Sequence, residues 1–315
     1  MKTPQLTDTL LMIRPVKFGF NAETAENNLY QKQLAAQTPE DIQVAALREF
    51  TQFVQKLEAA GVRVIVIDDT SEPSNPDSIF PNNWITTHHD STVVTYPMWA
   101  PSRRLERRDD IIETLRQHGY QISRKIDYSG FEEEEQYLEG TGSMILDRVN
   151  RIAYACMSPR THHNLFGAFC REFGFKPFIF IASQTTAEGA LAYIYHTNVM
   201  MSVGEDVAVL CNDAIRDTYE QDLVNKSLQG SGKQIVHISE AQCNHFAGNM
   251  LQIRNKAGEK LLVMSEQAFQ SLTDDQIEKL SSRSRIIHSP LDTIEACGGG
   301  SARCMMAEIF LPKKI

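Results

Sequence analysis

Cys304 is the side chain of this sequence best placed for nucleophilic chemistry. It follows a glycine-rich run, 297–303 (C-G-G-G-S-A-R), and opens the apolar segment 305–311, which we predict to be a β-strand. Glycines let a backbone approach its surroundings closely, and a strand would hold the sulfur still, so a thiol at this junction is positioned to attack a substrate. A buried core cysteine beside a turn is the structural alternative.

Repeated elements must position this thiol. The order strand, strand, helix, strand is predicted four times, over 84–126, 143–181, 199–238 and 250–288. Comparable points of successive copies lie about 50 to 60 residues apart, which is the length of one ββαβ unit.

A fifth copy is split between the two ends of the chain. Leu10 to Arg14 is a predicted strand, Ile42 to Ala60 an amphipathic helix and Val62 to Ile67 a second strand, and Met305 to Leu311 would supply the missing strand. Residues 1–315 would then form one domain of α/β class, with five units closed into a ring that has no open sheet edges. A single open α/β sheet covered by helices is the alternative.

Polar side chains stand at the entrance to each unit. They are Asn82-Asn83, Glu139 to Gly142, His196 to Asn198, His245 to Asn249, and Cys304. If the ring closes, a carboxylate, an imidazole and a thiol from three units meet near its axis. Such a set is typical of catalytic sites.

These residues resemble the guanidine-modifying enzymes, namely arginine deiminases, dimethylarginine dimethylaminohydrolases and amidinotransferases. The matching motifs are E-G-T-G at 139–142, H-T-N at 196–198 and G-G-G-S-A-R-C-M at 298–305, with F-P-N-N-W at 80–84 as a less diagnostic element. The chain is most similar to the bacterial citrulline-utilisation hydrolase group of that superfamily. The resemblance implies a fivefold pseudosymmetric α/β propeller, the pentein fold.

The resemblance also implies roles for three side chains. Cys304 would attack the central carbon of a guanidino or ureido amino acid as a thiolate, giving a covalent thiol-linked intermediate. His196 would protonate the departing amine and then deprotonate water. Glu139 would accept hydrogen bonds from substrate N–H groups. Each residue also has a structural interpretation, as a core thiol, a satisfied histidine and a turn-stabilising carboxylate.

Two asparagines depart from the pattern of several relatives. Asn198 stands where arginine deiminases have an aspartate, and Asn83 stands where some relatives have an acidic residue. An amide exchanges hydrogen bonds but carries no charge to pair with a guanidinium. These positions therefore predict a substrate-binding pocket that admits a neutral ureido compound such as citrulline as well as an arginine derivative.

Other candidate binding residues each have an alternative. Phe20 and Asn21, in the segment 18–21, are predicted to form a mobile lid or a fixed strand-to-helix connection. Arg303 is predicted to bind a substrate carboxylate or to form a structural salt bridge. Cys297 would form a protective disulfide with Cys304 or remain an inert thiol.

No cofactor and no metal are expected. His88-His89-Asp90 and His162-His163 contain adjacent histidines, which point to different faces of a helix or strand, and no third ligand is evident. The six cysteines lack C-x-x-C pairs and are expected to be free thiols.

Composition limits the partners. The chain has 315 residues, a net charge of -9, no apolar run of membrane-spanning length and no N-terminal secretion signal. We therefore expect a cytoplasmic protein with a small-molecule amino-acid substrate, no nucleic-acid partner and no membrane association. A homo-oligomer is compatible with the sequence. Two other functions stay open: an amidinotransferase, which passes the amidino group to an amine, and a non-catalytic binding protein.

Overall fold

The computed structural model describes residues 3–73, 75–186 and 189–314, and its strands form small sheets. The strands in chain order are β1 (Thr9–Arg14), β2 (Arg63–Asp68), β3 (Ile85–Thr87), β4 (Thr92–Thr95), β5 (Arg124–Asp127), β6 (Ile145–Asp147), β7 (Ile152–Cys156), β8 (Lys176–Phe180), β9 (Ser183–Thr185), β10 (Leu191–Tyr193), β11 (Met201–Val203), β12 (Val207–Leu210), β13 (Gln234–His237), β14 (Leu251–Arg254), β15 (Lys260–Ser265), β16 (Arg285–Ser289) and β17 (Ala307–Glu308).

Helices connect and cover these strands. They are α1 (Ala22–Ala25), α2 (Pro39–Ala59), α3 (Asp109–Gln117), α4 (Gly140–Ser143), α5 (His163–Phe173), α6 (Thr197–Met200), α7 (Thr218–Gly230), α8 (Glu240–Asn244), α9 (Glu266–Ser271), α10 (Asp274–Ser281) and α11 (Asp292–Gly298). Over the described ranges, no helix has a stretch long and apolar enough to cross a membrane.

The same three-stranded sheet recurs five times within the described residues. The strand orders are β17-β1-β2, β3-β4-β5, β6-β7-β8, β11-β12-β13 and β14-β15-β16, and a two-stranded hairpin, β9-β10, stands apart. In each three-stranded sheet the middle strand is antiparallel to the first strand and parallel to the third. Parallel neighbours need a long crossover, which the helices supply. The predicted order strand, strand, helix, strand is present, and one continuous open sheet is excluded.

Helix α2 shows how the sequence specifies one of these crossovers. Thr38 caps its first turn and forms a reciprocal capping box with Asp41. Its buried side chains recur at helical spacing and include Ala46, Phe50 and Leu57. This apolar stripe packs with side chains of β1 and of the 291–306 segment in one core cluster.

The strand after Cys304 is shorter than predicted. The pairing with β1 covers Ala307 and Glu308, whereas the prediction ran from Met305 to Leu311. Residues 301–306 instead form a tight turn, in which the N–H groups of Cys304 and Met306 donate to the carbonyls of Ser301 and Arg303. Cys304 is therefore held by a turn, because local backbone hydrogen bonds replace the expected sheet pairing.

The fourth copy also differs in its helix. The sequence predicts one helix over 266–280, and the structure has two, α9 and α10. Thr273 caps α10 through a capping box with Gln276, so the chain restarts a helix there.

Candidate active site

The glycine run before Cys304 lets three segments pack closely. A Cβ atom at Gly298 would lie 2.7 Å from the Phe80 ring. Gly299 has a φ of 60°, and a Cβ atom there would lie 2.5 Å from Nδ2 of Asn28. Larger residues would push these neighbours away, so the glycines are needed for close approach.

Two amide groups contact the sulfur of Cys304, which is buried. Nδ2 of Asn198 and Nδ2 of Asn249 each lie 3.3 Å from Sγ. Oδ1 of Asn249 accepts the backbone N–H of Arg303 at 3.0 Å, which orients the Asn249 side chain so that its N–H group faces the sulfur. The Asn249 amide also places Oδ1 3.7 Å from Sγ, so two amide side chains surround the sulfur with hydrogen-bonding groups.

His196 and Glu139 form a buried pair. Each residue immediately precedes a short helix, α6 and α4 respectively, and Nε2 of His196 lies 2.7 Å from Oε2 of Glu139. The other carboxylate oxygen of Glu139 accepts the backbone N–H of Trp99 at 2.9 Å. Both oxygens are thus occupied, and Glu139 orients the imidazole.

The E-G-T-G motif makes room for this pair. A Cβ atom at Gly142 would lie 2.8 Å from Nδ1 of His196 and 2.4 Å from Nδ2 of Asn83. Any side chain at this residue would displace the imidazole, so the second glycine of the motif is required by close packing.

Two arginines set the charge state of the pair. NH1 of Arg160 and NH1 of Arg103 lie 3.7 Å and 3.9 Å from Oε2 of Glu139. Burial alone would raise the pKa of Glu139, but Arg160, the His196 hydrogen bond and Arg103 together lower the pKa to about 2. Burial lowers the pKa of His196 to about 4, aided by the two arginines and partly opposed by Glu139. The pair is therefore a carboxylate and a neutral imidazole near pH 7.

Cys304 and His196 line the same cavity, which is formed by the following residues: Thr24, Asn28, Asp77, Phe80, Asn83, Arg103, Arg160, Tyr195, His196, Gly298, Gly300 and Cys304. Its volume is about 10 Å³, which is room for roughly one water molecule. A substrate of amino-acid size enters only if part of the wall moves outward.

Two residues of the segment 22–34, Thr24 and Asn28, belong to this wall. Asn28 donates from Nδ2 to the carbonyl oxygen of Gly299 at 3.2 Å, and Arg160 donates from NH2 to the carbonyl oxygen of Thr24 at 2.8 Å. The hydroxyl of Tyr30 donates to Oε1 of Gln184. Side-chain hydrogen bonds of this kind are the contacts that opening would break.

The residues expected to form a lid lie just before this segment. Phe20 lines a separate cavity beside the start of α2 and does not line the cavity of Cys304. Asn21 caps α1 and donates from Nδ2 to Oδ2 of Asp77 at 2.8 Å. Asn21 thus reaches the cavity through Asp77, and residues 18–21 connect β1 to α1.

Arg303 is not brought to this cavity. Its guanidinium donates to the carbonyl oxygen of Met306 at 2.7 Å and to Glu308 at 2.9 Å, and it lines a different cavity. The contact with Glu308 is the structural salt bridge that was the alternative for Arg303. A residue adjacent to a nucleophile in sequence need not point in the same direction.

The two asparagines of the sequence analysis have different surroundings. Oδ1 of Asn83 accepts a hydrogen bond from NH1 of Arg103 at 2.9 Å, and its Nδ2 has no partner among the described residues. Asn83 lines the cavity beside His196, whereas Asn198 contacts the sulfur from another side. Oδ1 of Asn198 likewise has no partner among the described residues, but Asn198 does not line the cavity.

Sequence reasoning missed Asp77, Arg160 and the role of Asn249. Asp77 is buried, lines the cavity and has an Oδ1 atom without a partner among the described residues. Asp77 and Arg160 lie on connecting segments that carry no periodic signal. Asn249 did have a sequence signal, because it stands at the end of the fourth unit entrance. His245 of the same entrance is exposed, and its ring Nδ1 lies at hydrogen-bond distance from the carbonyl oxygen of Ala241.

Within the described part of the chain, no three histidine, cysteine or acidic side chains are grouped to hold a metal ion. The six cysteines are all free and buried there, including Cys297.

Comparisons with known proteins place the chain in a family. The family model for N,N dimethylarginine dimethylhydrolase, eukaryotic, matches residues 14–311. No curated protein matches the sequence.

Solved structures share the fold. The apo structure of ArgZ, an arginine dihydrolase from the ornithine-ammonia cycle in cyanobacteria, matches 97% of this chain with a TM-score of 0.72 and 14% identity. The chain spans 41% of that protein's length. The N-terminal domain of ArgZ, covalently bonded to a reaction intermediate, matches 96% of this chain and 99% of its own length, with a TM-score of 0.71 and 15% identity.

A third structure, an adduct of dimethylarginine dimethylaminohydrolase with 4-chloro-2-hydroxymethylpyridine, matches 96% of this chain and 99% of its own, with a TM-score of 0.62 and 14% identity. The fold is thus a mixed α/β fold of small sheets like that of these enzymes. The extent of the family match, together with this fold, shows that the chain belongs to the dimethylarginine dimethylhydrolase family, within the guanidino-modifying pentein superfamily of hydrolases that act on guanidino C–N bonds.

Proposed function

We propose that this protein is a cysteine-dependent hydrolase of a guanidino amino acid and acts through a covalent thiol-linked intermediate. The observation that carries the proposal is the shared cavity of Cys304 and His196, with the imidazole oriented by Glu139. Family membership supports the same reaction class.

The chemistry follows from the charge states. His196, neutral at rest, takes the thiol proton of Cys304, and the thiolate is stabilised by the N–H groups of Asn198 and Asn249. Sulfur bonds to the central guanidino carbon, and the imidazolium returns the proton to the departing amine, whose bond to that carbon breaks. Neutral His196 then takes a proton from water, whose oxygen bonds to the same carbon. The carbon–sulfur bond breaks, and the imidazolium returns the proton to the departing Cys304 thiolate.

For Glu139 we infer a role other than direct hydrogen bonding to the substrate, which the resemblance implied. Its two oxygens are bound to Trp99 and His196, and it does not line the cavity. We assign it as a positioning residue that holds the imidazole and stabilises its protonated form during the reaction.

Asp77 favours a cationic substrate. Burial raises the pKa of its carboxyl, while Arg103 and the hydrogen bond from Asn21 act in the opposite direction. A bound guanidinium would favour the ionised form and donate to the unpartnered Oδ1. The hypothesis of a neutral ureido substrate rested on amides at Asn83 and Asn198, and Asp77 supplies a carboxyl that those amides lack. We therefore rank arginine and its N-methylated forms before citrulline.

The five sheets are also proposed to close into a fivefold propeller within one domain, 1–315. Contacts between first strands of neighbouring sheets support this: β17 with β3, β6 with β11, and β11 with β14. Closure would bring the unit entrances together, and the cavity shared by residues of several units supports this arrangement.

A substrate panel tests the function. Arginine, methylated arginines, agmatine and citrulline are each incubated with the wild type and with Cys304→Ser, and ammonia, methylamines and amino-acid products are measured. We expect turnover of a guanidino amino acid that the serine variant lacks. Citrulline turned over faster than every guanidine would reject the substrate ranking. Products formed only when glycine or ornithine is added would indicate an amidinotransferase, and no turnover in any arm would indicate a binding protein.

A further inference from the structure

A second cavity, separate from the one around Cys304, is lined by a concentration of basic side chains. Its volume is about 290 Å³, and it shares no lining residue with the Cys304 cavity. Four arginines line it against two carboxylates, together with two histidines: Arg124, Arg148, Arg151, Arg171, Asp90, Glu172, His88 and His89. This excess of positive charge lies on a chain whose net charge is -9.

Two of the arginines have clear structural partners. Arg124 forms an ion pair with Glu172. Arg151 donates to the carbonyl oxygen of Phe173 at the end of α5, and its guanidinium lies 4.9 Å from the centre of the Phe175 ring. A cation at a helix C-terminus compensates the exposed carbonyl groups, so these two side chains are explained by the fold.

Arg148 has no such explanation. Its side chain is buried, with the residue 3% exposed, yet its guanidinium makes no hydrogen bond or salt bridge to any described residue. It lies 4.0 Å from the centre of the Phe310 ring, a contact that offers no hydrogen-bond acceptor. Burial lowers the pKa of Arg148 and the charge of Glu308 opposes that shift, but the Glu308 carboxylate is bound by Arg303 at 2.9 Å. Over the residues that the structure describes, no guanidinium nitrogen of Arg148 is a fully buried atom without a partner, so these donors face open space in the cavity, where solvent or a bound ligand supplies their acceptors.

The pKa values of the two histidines in the cavity are lowered, in part by the neighbouring arginines. Burial lowers the pKa of His88, and Arg148, His89 and Arg151 lower it further. Burial likewise lowers the pKa of His89, with Arg151 and Arg148 acting in the same direction against Asp90. Neutral imidazoles beside several arginines do not favour a metal cation, and they leave the arginine charge unopposed.

We propose that this cavity is a binding site for a small polyanion whose phosphate or carboxylate oxygens are received by Arg148 and Arg171. Arginine presents a planar fork of N–H donors that matches the oxygens of both groups. The anion supplies the acceptors that Arg148 lacks. The size of the cavity suits a compact molecule and not a polymer.

Binding is measured by calorimetry and thermal unfolding with inorganic phosphate, pyrophosphate and citrate in separate arms, at constant ionic strength set with sodium chloride. We expect saturable binding and stabilisation of the wild type by at least one of these anions, and the arm that binds most tightly identifies the oxyanion class. Arg148→Met keeps an apolar side chain over Phe310 and removes the charge. It is expected to lower the affinity ~10-fold or more, since it removes charge-assisted hydrogen bonds.

A second variant and a control distinguish anion binding in the cavity from a general effect of the charge of the protein. Arg171→Gln, at the exposed rim of the cavity, is expected to lower the affinity for the same anion by several fold. If Arg148→Met does not fold, Arg171→Gln alone tests the proposal. Arg116→Gln, at a half-exposed position of α3 outside the cavity, is expected to bind as the wild type does. Absence of saturable binding in all three arms, or equal affinity in the wild type and the folded cavity variants, would overturn the proposal.

Discussion

Nε2 of His196 and Oε2 of Glu139 lie 2.7 Å apart in the interior, and the same carboxylate oxygen lies within 4 Å of two guanidinium groups, those of Arg160 and Arg103. The arginines keep Glu139 ionised, and Glu139 keeps the imidazole in one orientation. The imidazole that lines the cavity is therefore oriented by a carboxylate that does not line it.

Glu139→Gln should lower kcat by roughly 10² to 10⁴, because the isosteric amide cannot stabilise the imidazolium. Substrate KM should change little, since the side chain lies outside the cavity wall. Steady-state kinetics in the His196→Asn background supply the control, because the Gln substitution should have almost no further effect there. Additive losses in the double variant would show that the two residues do not act together.

The buried imidazole makes stability depend on pH. Its pKa is about 4 in the fold and 6.5 ordinarily, so between these values the unfolded chain binds a proton that the folded chain does not. Stability contributed by neutral His196 is present above pH 6.5 and declines as the pH falls toward 4. Urea unfolding at several pH values checks this. The buried carboxyls of Glu106 and Glu295, whose pKa values are raised by burial to about 7, act in the opposite direction, so the measured quantity is the difference in unfolding free energy between the wild type and His196→Asn. That difference should shift against the wild type as the pH falls from 6.5 toward 4, and exposed His237→Gln should show no such shift.

Asn249→Asp tests whether the amide beside Cys304 controls the reactivity of its sulfur. The variant keeps an oxygen acceptor for the Arg303 N–H, but it places a carboxylate beside Sγ in place of an N–H donor. Alkylation of Cys304 by iodoacetamide at pH 7 should slow by about tenfold or more. Asn244→Asp adds the same charge at an exposed residue and should alkylate at the wild-type rate. Equal rates in both variants would remove the amide from the account.

Asp77→Asn separates charged from neutral substrates. Loss of the carboxylate should raise KM for a guanidino substrate by about 10- to 100-fold, the effect of a lost charge-assisted hydrogen bond. KM for citrulline, if citrulline is turned over, should change far less. Parallel Michaelis curves for the two substrates give the comparison, and an equal loss for both would contradict the role of Asp77.

Much of the fold was predictable because it repeats. Each copy contains short runs of β-branched residues, apolar residues at helical spacing, and turn residues. The order of the strands was therefore predicted correctly, even where the predicted ends of strands differ from the observed ends by a few residues. The strand after Cys304 was predicted to be too long. The apolar side chains of 305–311 do not show that residues 301–306 form a hydrogen-bonded turn.

The site was predictable only where residues stood at a repeated place in the units. Cys304, His196 and Asn198 did, and the structure brings them together. Asp77 and Arg160 come from connecting segments whose path no periodic pattern reveals. Arg303 shows the opposite difficulty, since its neighbour in sequence is the thiol while its guanidinium bonds to Met306 and Glu308.

The central claim is that Cys304 forms a covalent bond to the substrate carbon. Protein quenched in acid during turnover of the best substrate should show a mass increase that peptide mapping places on Cys304, and Cys297→Ser should retain it. Cys304→Ser should show neither the adduct nor turnover. Turnover by Cys304→Ser at the wild-type rate, with no adduct in either protein, would contradict the account.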